Sequence, residues 1–333
     1  MEAHIKSRYH DGILAEAMRR YHIADGHIQL LDGFESFMYE FERGGQSYVL
    51  RIGHSLRRSV ELIQGEVDWL NYLADGGVSV ARAVPSADGE LVERIDDGQG
   101  EQFLTTAFVK AQGEPPSYAI WDAPLFEQYG RTIGRMHART QTYWLPNPAW
   151  KRPEWNAPDM LYADEWLSDP EDAIALDHYR QLLVHLEGLP SSDSDYGLIH
   201  QDAHGGNFFV DAQGTLTFFD FDDCAYSWFA NDIAIVLFYA SLWQDNRPDF
   251  TPYFMTHFLR GYREENQLEA SWLREMPHFL KLREIDLYAQ IRAQFDNYWE
   301  DPWCARYMTG RKEKIDQNLP YIDVDFESLA DLL

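Results

Sequence analysis

Apolar and polar residues alternate along residues 37–41, which is the period of a β-strand with one buried face. The turn-forming residues 43–46 interrupt this run, and a second apolar run follows at residues 48–52. Two further short apolar runs, at residues 91–95 and 103–109, flank a glycine-containing turn. The pattern therefore predicts a small antiparallel sheet in the first third of the chain.

Residues 55–75 have the spacing of an amphipathic helix. Apolar side chains recur every three or four residues, at Val60, Ile63, Val67 and Leu70. Ser55 is a suitable N-cap, and the glycines at 76–77 are suitable for the C-terminal end. Glu66 falls on the inward edge of the apolar face, where a carboxylate needs a partner. We therefore predict one helix between the two pairs of strands, with Glu66 in an ion pair.

The pattern becomes mainly helical after the turn at residues 113–116. Helical patterns rich in aromatic residues occupy residues 125–140, 172–186, 232–242 and 272–299. One short β segment, residues 198–223, interrupts them and contains the densest set of reactive side chains in the chain. We predict a mainly helical second domain with the chemistry in this β segment.

Length and composition allow one large or two compact domains, because 333 residues with 45% hydrophobic and 15% aromatic side chains are enough to build a core. Lys and Arg number 28 against 55 Asp and Glu, so the net charge is -27. A field of this sign repels a phosphate backbone. We therefore expect no nucleic-acid partner.

The two cysteines, Cys224 and Cys304, are too few for a disulfide framework or for a four-ligand zinc site. Acidic neighbours disfavour a thiolate at Cys224, so no thiol chemistry is expected. Residues 1–20 lack the apolar core of a signal peptide, and no stretch approaches the length of a membrane span. These features predict a cytoplasmic protein with no membrane partner.

The β segment reads as a hairpin, because residues 208–210 and 215–219 are apolar strands around an Asp-Ala-Gln-Gly turn. Pairing of Val210 with Thr215 would place Asn207 beside Phe218, and Asp220 follows directly. A glycine-containing loop lets Asp202 fold back to the same end of the hairpin. The pattern therefore predicts that three oxygen-bearing side chains converge, namely those of Asp202, Asn207 and Asp220.

An amide oxygen and a carboxylate are hard donors of the kind that Mg²⁺ prefers, and this ion takes its other ligands from water and substrate phosphate. We therefore predict that Asn207 and Asp220 hold Mg²⁺, which leaves Asp202 to act as a base. Asp222 either joins this metal site or caps a helix that begins near Tyr226. Asp223 is interpreted as the cap of a helix that begins near Tyr226.

This segment resembles the catalytic loop of protein kinases, in which Asn follows the catalytic Asp by five residues and a metal-binding Asp follows a hairpin. The form His-x-Asp-x-His-x-Gly-Asn at residues 200–207, with Asp-Phe-Asp at residues 220–222, is similar to that of the aminoglycoside phosphotransferase and choline kinase superfamily. That superfamily includes type II homoserine kinases and a bacterial stress-response kinase. The resemblance implies an α+β, protein-kinase-like fold with an N-terminal ATP-binding lobe at residues 1–108 and a C-terminal catalytic and substrate lobe at residues 109–333.

The resemblance also implies a nucleotide site in the first lobe. Ser36 would lie in the turn over the phosphates. Arg51 occupies the strand position where such kinases usually have Lys, and Glu66 would hold its guanidinium beside the α- and β-phosphates. Thr106 and Phe108 fall on the strand whose backbone would bind adenine.

The function that the resemblance implies is transfer of the γ-phosphoryl group of ATP to a hydroxyl of a small molecule such as an aminosugar, an amino alcohol or a homoserine-like compound. Three alternatives stay open: a Ser/Thr protein kinase of the stress-response type, a metal-dependent phosphoesterase, and a non-catalytic nucleotide-binding pseudokinase. The phosphoesterase would use His200 and His204 as well as the acidic residues. Otherwise these histidines and His137 are expected to make structural hydrogen bonds.

Overall fold

The computed structural model describes residues 2–31, 33, 35–117, 120–161, 163–242, 244 and 247–333. Its strands are β1 (Ile28–Leu31), β2 (Phe37–Arg43), β3 (Gln46–His54), β4 (Ala83–Val84), β5 (Glu93–Asp96), β6 (Gln102–Val109), β7 (Tyr196–Ile199), β8 (Phe208–Val210), β9 (Leu216–Phe218) and β10 (Ala225–Trp228). Its α-helices are α1 (Ala3–Lys6), α2 (Asp11–Arg20), α3 (Val60–Asp75), α4 (Ala123–Thr140), α5 (Ala163–Trp166), α6 (Ala173–Glu187), α7 (Phe229–Ser241), α8 (Phe250–Tyr262), α9 (Met276–Gln294), α10 (Pro302–Met308) and α11 (Arg311–Asp316). Both element types are abundant, so the predicted α+β class is confirmed.

The chain forms two compact units. The first unit consists of Met1–Pro115, Thr142–Arg152 and Phe208–Asp222. The second unit consists of Pro116–Gln141, Pro153–Asn207 and Asp223–Leu333. The β segment predicted at residues 198–223 is therefore divided between the two units. Asp202 and Asn207 belong to the second unit, and the hairpin of β8 and β9 belongs to the first.

An antiparallel sheet of six strands dominates the first unit, with the order β1-β2-β3-β6-β4 and β5 also paired to β6. The four strands expected from the sequence are present as β2, β3, β5 and β6. One face of the sheet packs on α2, because Ile13 and Ala17 join Phe41, Leu50 and Phe103 in a buried core. The sequence analysis missed α1, α2 and β1.

Helix α3 begins later than predicted. Its N-cap is Ser59, whose hydroxyl accepts a hydrogen bond from the backbone amide of Leu62 at 3.2 Å. The prediction of Ser55 as cap is wrong, because the Ser55 hydroxyl donates to Glu101 at 2.8 Å. The C-terminal end is confirmed at Gly76, and Gly77 follows with a φ of 80° that favours glycine.

The hairpin of β8 and β9 is present with a register one residue away from the prediction. Val210 pairs with Leu216, and Phe208 pairs with Phe218. The reason is the turn, in which the Asp211 carboxylate accepts hydrogen bonds from the backbone amides of Gln213 and Thr215. These bonds keep Thr215 in the turn, so the predicted pairing of Val210 with Thr215 is wrong.

Helices α4, α7, α8 and α9 build the core of the second unit. Helices α4 and α8 approach closely at glycines: a Cβ on Gly130 would lie 1.9 Å from the Phe258 carbonyl oxygen, and one on Gly261 would lie 1.8 Å from that of Glu127. Helix α7 is buried along nearly its whole length. The sequence analysis missed α8, α10 and α11.

Residues after the hairpin form a strand where the sequence analysis placed a helix start. Strand β10 pairs antiparallel with β7, with Ala225 opposite Ile199 and Trp228 opposite Tyr196. Trp228 is the residue that precedes α7. The interpretation of Asp223 as a helix cap is therefore wrong, because the chain first completes this two-stranded sheet.

Candidate active site

A buried ion pair in the first unit joins the sheet to α3. Arg51 on β3 donates two parallel hydrogen bonds to the Glu66 carboxylate, at 2.9 and 2.7 Å. The Arg51 side chain is 9% exposed and that of Glu66 is 1% exposed. A charge at such depth is tolerated only when it is paired and hydrogen-bonded. The predicted Arg51–Glu66 pair is thus present, and its contact with nucleotide stays a prediction.

Asp222 lies among arginines of the same unit. Its carboxylate is 2.5 Å from Arg57 and 3.7 Å from both Arg51 and Arg58, and its backbone carbonyl accepts a hydrogen bond from Arg152. Burial opposes ionisation of this carboxyl, but the surrounding guanidinium groups outweigh it and hold its pKa well below the ordinary value. The structure therefore gives Asp222 the role of an ion-pair centre that links Arg51 to the end of the hairpin.

The other predicted nucleotide residues lie on or near the sheet. Thr106 is opposite Arg51 in the pairing of β3 with β6, and its hydroxyl is buried. The Arg51 guanidinium lies over the Phe108 ring, 5.1 Å from its centroid. Ser36 is half-buried between β1 and β2, and the neighbouring residues Asp32 and Phe34 lie outside the described residues. The assignment of Ser36, Thr106 and Phe108 to nucleotide binding stays a prediction.

The loop after β7 is fixed in the second unit by a buried carboxylate on α7. Asp232 accepts hydrogen bonds from the backbone amides of His200 and Gln201 and lies 3.0 Å from the Nε2 atom of His137. Gln201 has a φ of 69°, a conformation that non-glycine residues rarely adopt. Strain of this kind persists where surrounding bonds impose it, and it is common at functional sites. Asp232 therefore holds the loop in a defined shape just before Asp202.

Asp202 is held on both carboxylate oxygens. Its Oδ1 atom accepts a hydrogen bond from Arg283 at 2.7 Å, and its Oδ2 atom accepts one from the Asn207 side-chain amide at 3.0 Å. His204 lies 3.4 Å from Oδ2. Burial opposes ionisation of Asp202, but His204 and Arg283 outweigh it and hold its pKa below the ordinary value. Asp202 is therefore an oriented, ionised carboxylate.

Asn207 is buried and has a fixed amide orientation. Its nitrogen donates to the Asp202 backbone carbonyl at 2.8 Å as well as to the Asp202 carboxylate. Because both bonds use the nitrogen, the amide oxygen points to the opposite side, where it can serve as a ligand for a hard cation. The predicted neighbourhood of Asp202 and Asn207 is confirmed, whereas metal binding by Asn207 stays a prediction.

Asp220 follows β9 in the first unit with an exposed side chain and a φ of 64°. This left-handed conformation is tolerated by Asp better than by most residues. The charge of Asp220 helps to raise the pKa of Arg51, against the effect of burial and together with Glu66 and Asp222. Asp220 is therefore an exposed carboxylate in a backbone conformation that few residues adopt, and its binding of Mg²⁺ stays a prediction.

The histidines of the segment make local hydrogen bonds. The Nδ1 atom of His200 accepts a bond from the Asp202 amide at 3.3 Å, and that of His204 accepts one from the Gly206 amide at 2.8 Å. His137 bonds to Tyr262 and Asp232, both at 3.0 Å. The structural interpretation of these histidines is thus supported. Within the described ranges, neither His200 nor His204 belongs to a cluster of three metal-ligating side chains.

Sequence reasoning missed Arg283, Tyr239 and Asp232. Arg283 lies on α9 and donates to the Tyr239 hydroxyl on α7 at 2.5 Å as well as to Asp202. A charged residue within a largely apolar helix is a weak signal for a buried ion pair. Its partner on a loop eighty-one positions away cannot be read from helical spacing.

Asp286, one turn after Arg283 on α9, is a buried carboxyl whose titration affects stability. Burial raises its pKa to about 7, although a hydrogen bond from the Tyr179 hydroxyl at 2.9 Å and the charge of Arg283 favour ionisation. A carboxyl whose pKa is raised on folding stabilises the fold at pH values below its unfolded pKa, and this stability is lost as the pH rises through 7.

We therefore expect the free energy of unfolding of Asp286→Asn to rise relative to that of the wild type between pH 4 and pH 8, because only the wild type loses the contribution of this carboxyl. Urea unfolding at several pH values measures this difference. The exposed Asp177→Asn on α6 is the control and should follow the wild-type curve. Parallel curves for wild type and Asp286→Asn would contradict the prediction.

Known proteins share this fold and sequence. The model of the phosphotransferase enzyme family matches residues 27–275. The amicoumacin kinase of Bacillus subtilis (strain 168) is 40% identical over 333 residues, which are 98% of each chain. An amicoumacin kinase solved in complex with AMP-PNP, Ca²⁺ and Ami is 37% identical, with a TM-score of 0.93 over 99% of this chain and 100% of the other. The microcompartment-associated aminopropanol kinase, at 24% identity and a TM-score of 0.74 over 93% of this chain and 98% of the other, shares the fold.

Fold and relatives together define a kinase of the protein-kinase-like fold that transfers a phosphoryl group to an alcohol. The chain belongs to the phosphotransferase enzyme family, as the sequence motif predicted. The related amicoumacin kinase that was solved with AMP-PNP and Ca²⁺ binds an ATP analogue and a divalent metal ion. Across the part of the chain that is described, no helix combines the length and the apolar character needed to span a bilayer.

Proposed function

We propose that this enzyme phosphorylates a hydroxyl group of an amicoumacin-like small molecule, with Asp202 as the base. Asn207 and Asp220 hold the Mg²⁺ ion, which neutralises charge on the transferring phosphoryl group. Arg51, held by Glu66, binds the α- and β-phosphates of ATP. Residues 1–108 form the ATP-binding lobe in this proposal, and residues 109–333 form the catalytic and substrate lobe.

The geometry of Asp202 is the observation that carries the proposal. A carboxylate that accepts or orients the proton of an alcohol must be ionised, oriented and accessible. Asp202 has both oxygens engaged by directional donors, a lowered pKa and a side chain that is 24% exposed. This arrangement suits transfer chemistry, in which positioning and charge neutralisation supply most of the rate.

The ion pair in the first unit supports the nucleotide side of the proposal. The guanidinium of Arg51 has a planar fork of donors, and Glu66 uses two of them. The remaining donors of that fork are suited to phosphate oxygens, which Arg binds with two parallel hydrogen bonds. In this proposal Arg51 binds the phosphates through the planar fork of its guanidinium, whereas Lys in related kinases binds them as a point charge.

The nature of the acceptor is proposed from the relatives that are named for amicoumacin and that match nearly the whole of this chain. The chain is more than 35% identical to both, and it is covered almost from end to end. A hydroxyl on this compound, or on an aminosugar or amino alcohol of related chemistry, is the group that receives the phosphate. A Ser/Thr protein acceptor is the alternative outcome of the assay.

Calorimetric titration of ATP with and without Mg²⁺ tests the cofactor site without an acceptor. We expect wild type to bind ATP at least about tenfold more tightly with Mg²⁺ than without it. Without the ion, the negative charges of the carboxylate and the phosphates repel each other, and Mg²⁺ replaces this repulsion with attraction. Asp220→Ala should lose this gain and keep its affinity for metal-free ATP. Asp211→Ala is the control, because it removes a carboxylate of the hairpin turn. This variant should still bind ATP more tightly with Mg²⁺ than without it. If wild type binds ATP no better with Mg²⁺, the proposed metal site is wrong.

An ADP-release assay then identifies the acceptor. The panel contains amicoumacin, an aminoglycoside, 1-amino-2-propanol, homoserine and a Ser/Thr-containing protein substrate. We expect turnover to be highest with amicoumacin, and mass spectrometry of the product should show the addition of one phosphoryl group. Higher turnover with the protein substrate would overturn the small-molecule proposal, and equal ADP release with and without every acceptor would overturn the proposed transferase activity.

A further inference from the structure

Arg283 contacts the proposed base from a helix that sequence reasoning did not connect with it. It lies on α9, and its Nη2 atom donates to the Asp202 Oδ1 atom at 2.7 Å. The same nitrogen lies 2.5 Å from the Tyr239 hydroxyl on α7. Its side chain is 15% exposed. A guanidinium at this depth loses much of its hydration, so its position is set by the groups that replace the water.

The surroundings of Arg283 restrict it to this position. The guanidinium lies over the Tyr239 ring, 5.1 Å from the centroid, so one side chain supplies both a hydrogen bond and an aromatic face. Asp286, one turn later on α9, adds a carboxyl whose charge acts on Arg283. Tyr179 donates a hydrogen bond to that carboxyl and holds it in place.

The two oxygens of Asp202 are thus held by different elements. Asn207 belongs to the same loop as Asp202 and moves with it, whereas Arg283 belongs to α9. A carboxylate held only from its own loop is free to rotate with that loop. One held also from a packed helix has its plane fixed relative to the second unit.

We propose that Arg283 is the positioning residue that fixes the plane of the Asp202 carboxylate for the transfer step. The inference rests on the proposed role of Asp202 as base. Without the contact at Oδ1 the carboxylate can rotate, because Asn207 then holds it only from its own loop.

The test compares Arg283→Met and Arg283→Lys with Arg292→Met. Arg292 is the matched control, because it lies on the same helix, is 17% exposed and donates to buried Asp172 at 2.8 Å. We expect Arg283→Met to lower kcat about a hundredfold, the cost of a misplaced catalytic group, with the affinity for ATP and Mg²⁺ unchanged within twofold. The KM values for ATP and amicoumacin should stay within about threefold of wild type, because the change affects the orientation of the carboxylate and not binding. Arg283→Lys should restore part of kcat, and Arg292→Met should keep kcat within threefold of wild type.

Amicoumacin serves as acceptor, and slow hydrolysis of ATP with water as acceptor is measured alongside. A kcat for Arg283→Met within twofold of wild type, or a loss that appears only in KM, would overturn the inference while a low rate for Asp202→Asn upheld the proposed function. If Asp202→Asn retained full turnover, the proposed function would fail and this inference with it. Equal losses in Arg283→Met and Arg292→Met would show a structural effect and would also overturn the inference.

Discussion

Asp202→Asn should lower kcat by about a hundredfold to ten-thousandfold, which is the usual contribution of a general base. The substitution keeps the size of the side chain and removes its charge and its proton affinity. The amide still has one oxygen, so it can retain a hydrogen bond from either Arg283 or Asn207, and the loop held by Asp232 should keep its shape. The loss is therefore expected in the transfer step and not in folding.

The measurement is the rate of ADP release at saturating ATP, Mg²⁺ and acceptor, together with calorimetric binding of ATP. Binding should stay within about threefold of wild type, because no nucleotide contact is assigned to Asp202. Asp211→Asn makes the same chemical change on a carboxylate that orders the hairpin turn, and it should retain wild-type kcat. Equal kcat in wild type and Asp202→Asn would remove the base from the mechanism.

Glu66→Gln should destabilise the protein by about 3 kcal/mol, because it leaves the Arg51 guanidinium buried without its main counter-charge. Removing one member of a buried pair costs about 3 to 5 kcal/mol, and Asp222 at 3.7 Å from Arg51 keeps the expected value at the lower end. Urea unfolding measures the effect. The KM for ATP should rise as well, since the guanidinium is no longer held from α3.

Glu40→Gln is the matched control for this prediction. Glu40 on β2 binds Lys110 through both carboxylate oxygens at 2.7 Å, but the side chains are 27% and 32% exposed. A pair exposed to this degree contributes less than about 1 kcal/mol, because water screens it. If Glu66→Gln and Glu40→Gln lose equal free energy of unfolding, burial does not determine the strength of the Arg51–Glu66 pair, and the prediction is wrong.

Much of the fold was predictable from short-range patterns. Strands β2, β3, β5 and β6, helix α3 and the hairpin of β8 and β9 each have a local period and a local turn signal. The ion pair of Arg51 with Glu66 was predictable too, because a carboxylate on an apolar face needs a partner and the family resemblance indicated the strand residue Arg51.

The incorrect predictions concern positions where neighbouring side chains compete for the same hydrogen bonds. Two serines, Ser55 and Ser59, are both acceptable caps for α3, and Glu101 decides between them by taking the hydroxyl of Ser55. The register of the hairpin depends on which backbone amides the Asp211 carboxylate accepts. Such choices differ by small free energies, so a pattern in the sequence does not resolve them.

By itself, the sequence determined the family and class of the enzyme, the motif that resembles a catalytic loop and the local elements that contain this motif, because these depend on residue type and short spacing. Only the tertiary structure showed that Asp232 fixes the loop, that Arg283 holds Asp202 and that Asp222 gathers three arginines. Each of these contacts joins residues from thirty to more than one hundred and sixty positions apart. Packing and the need to pair buried charges determine which residues meet in these contacts. Neither factor produces a periodic pattern in the sequence.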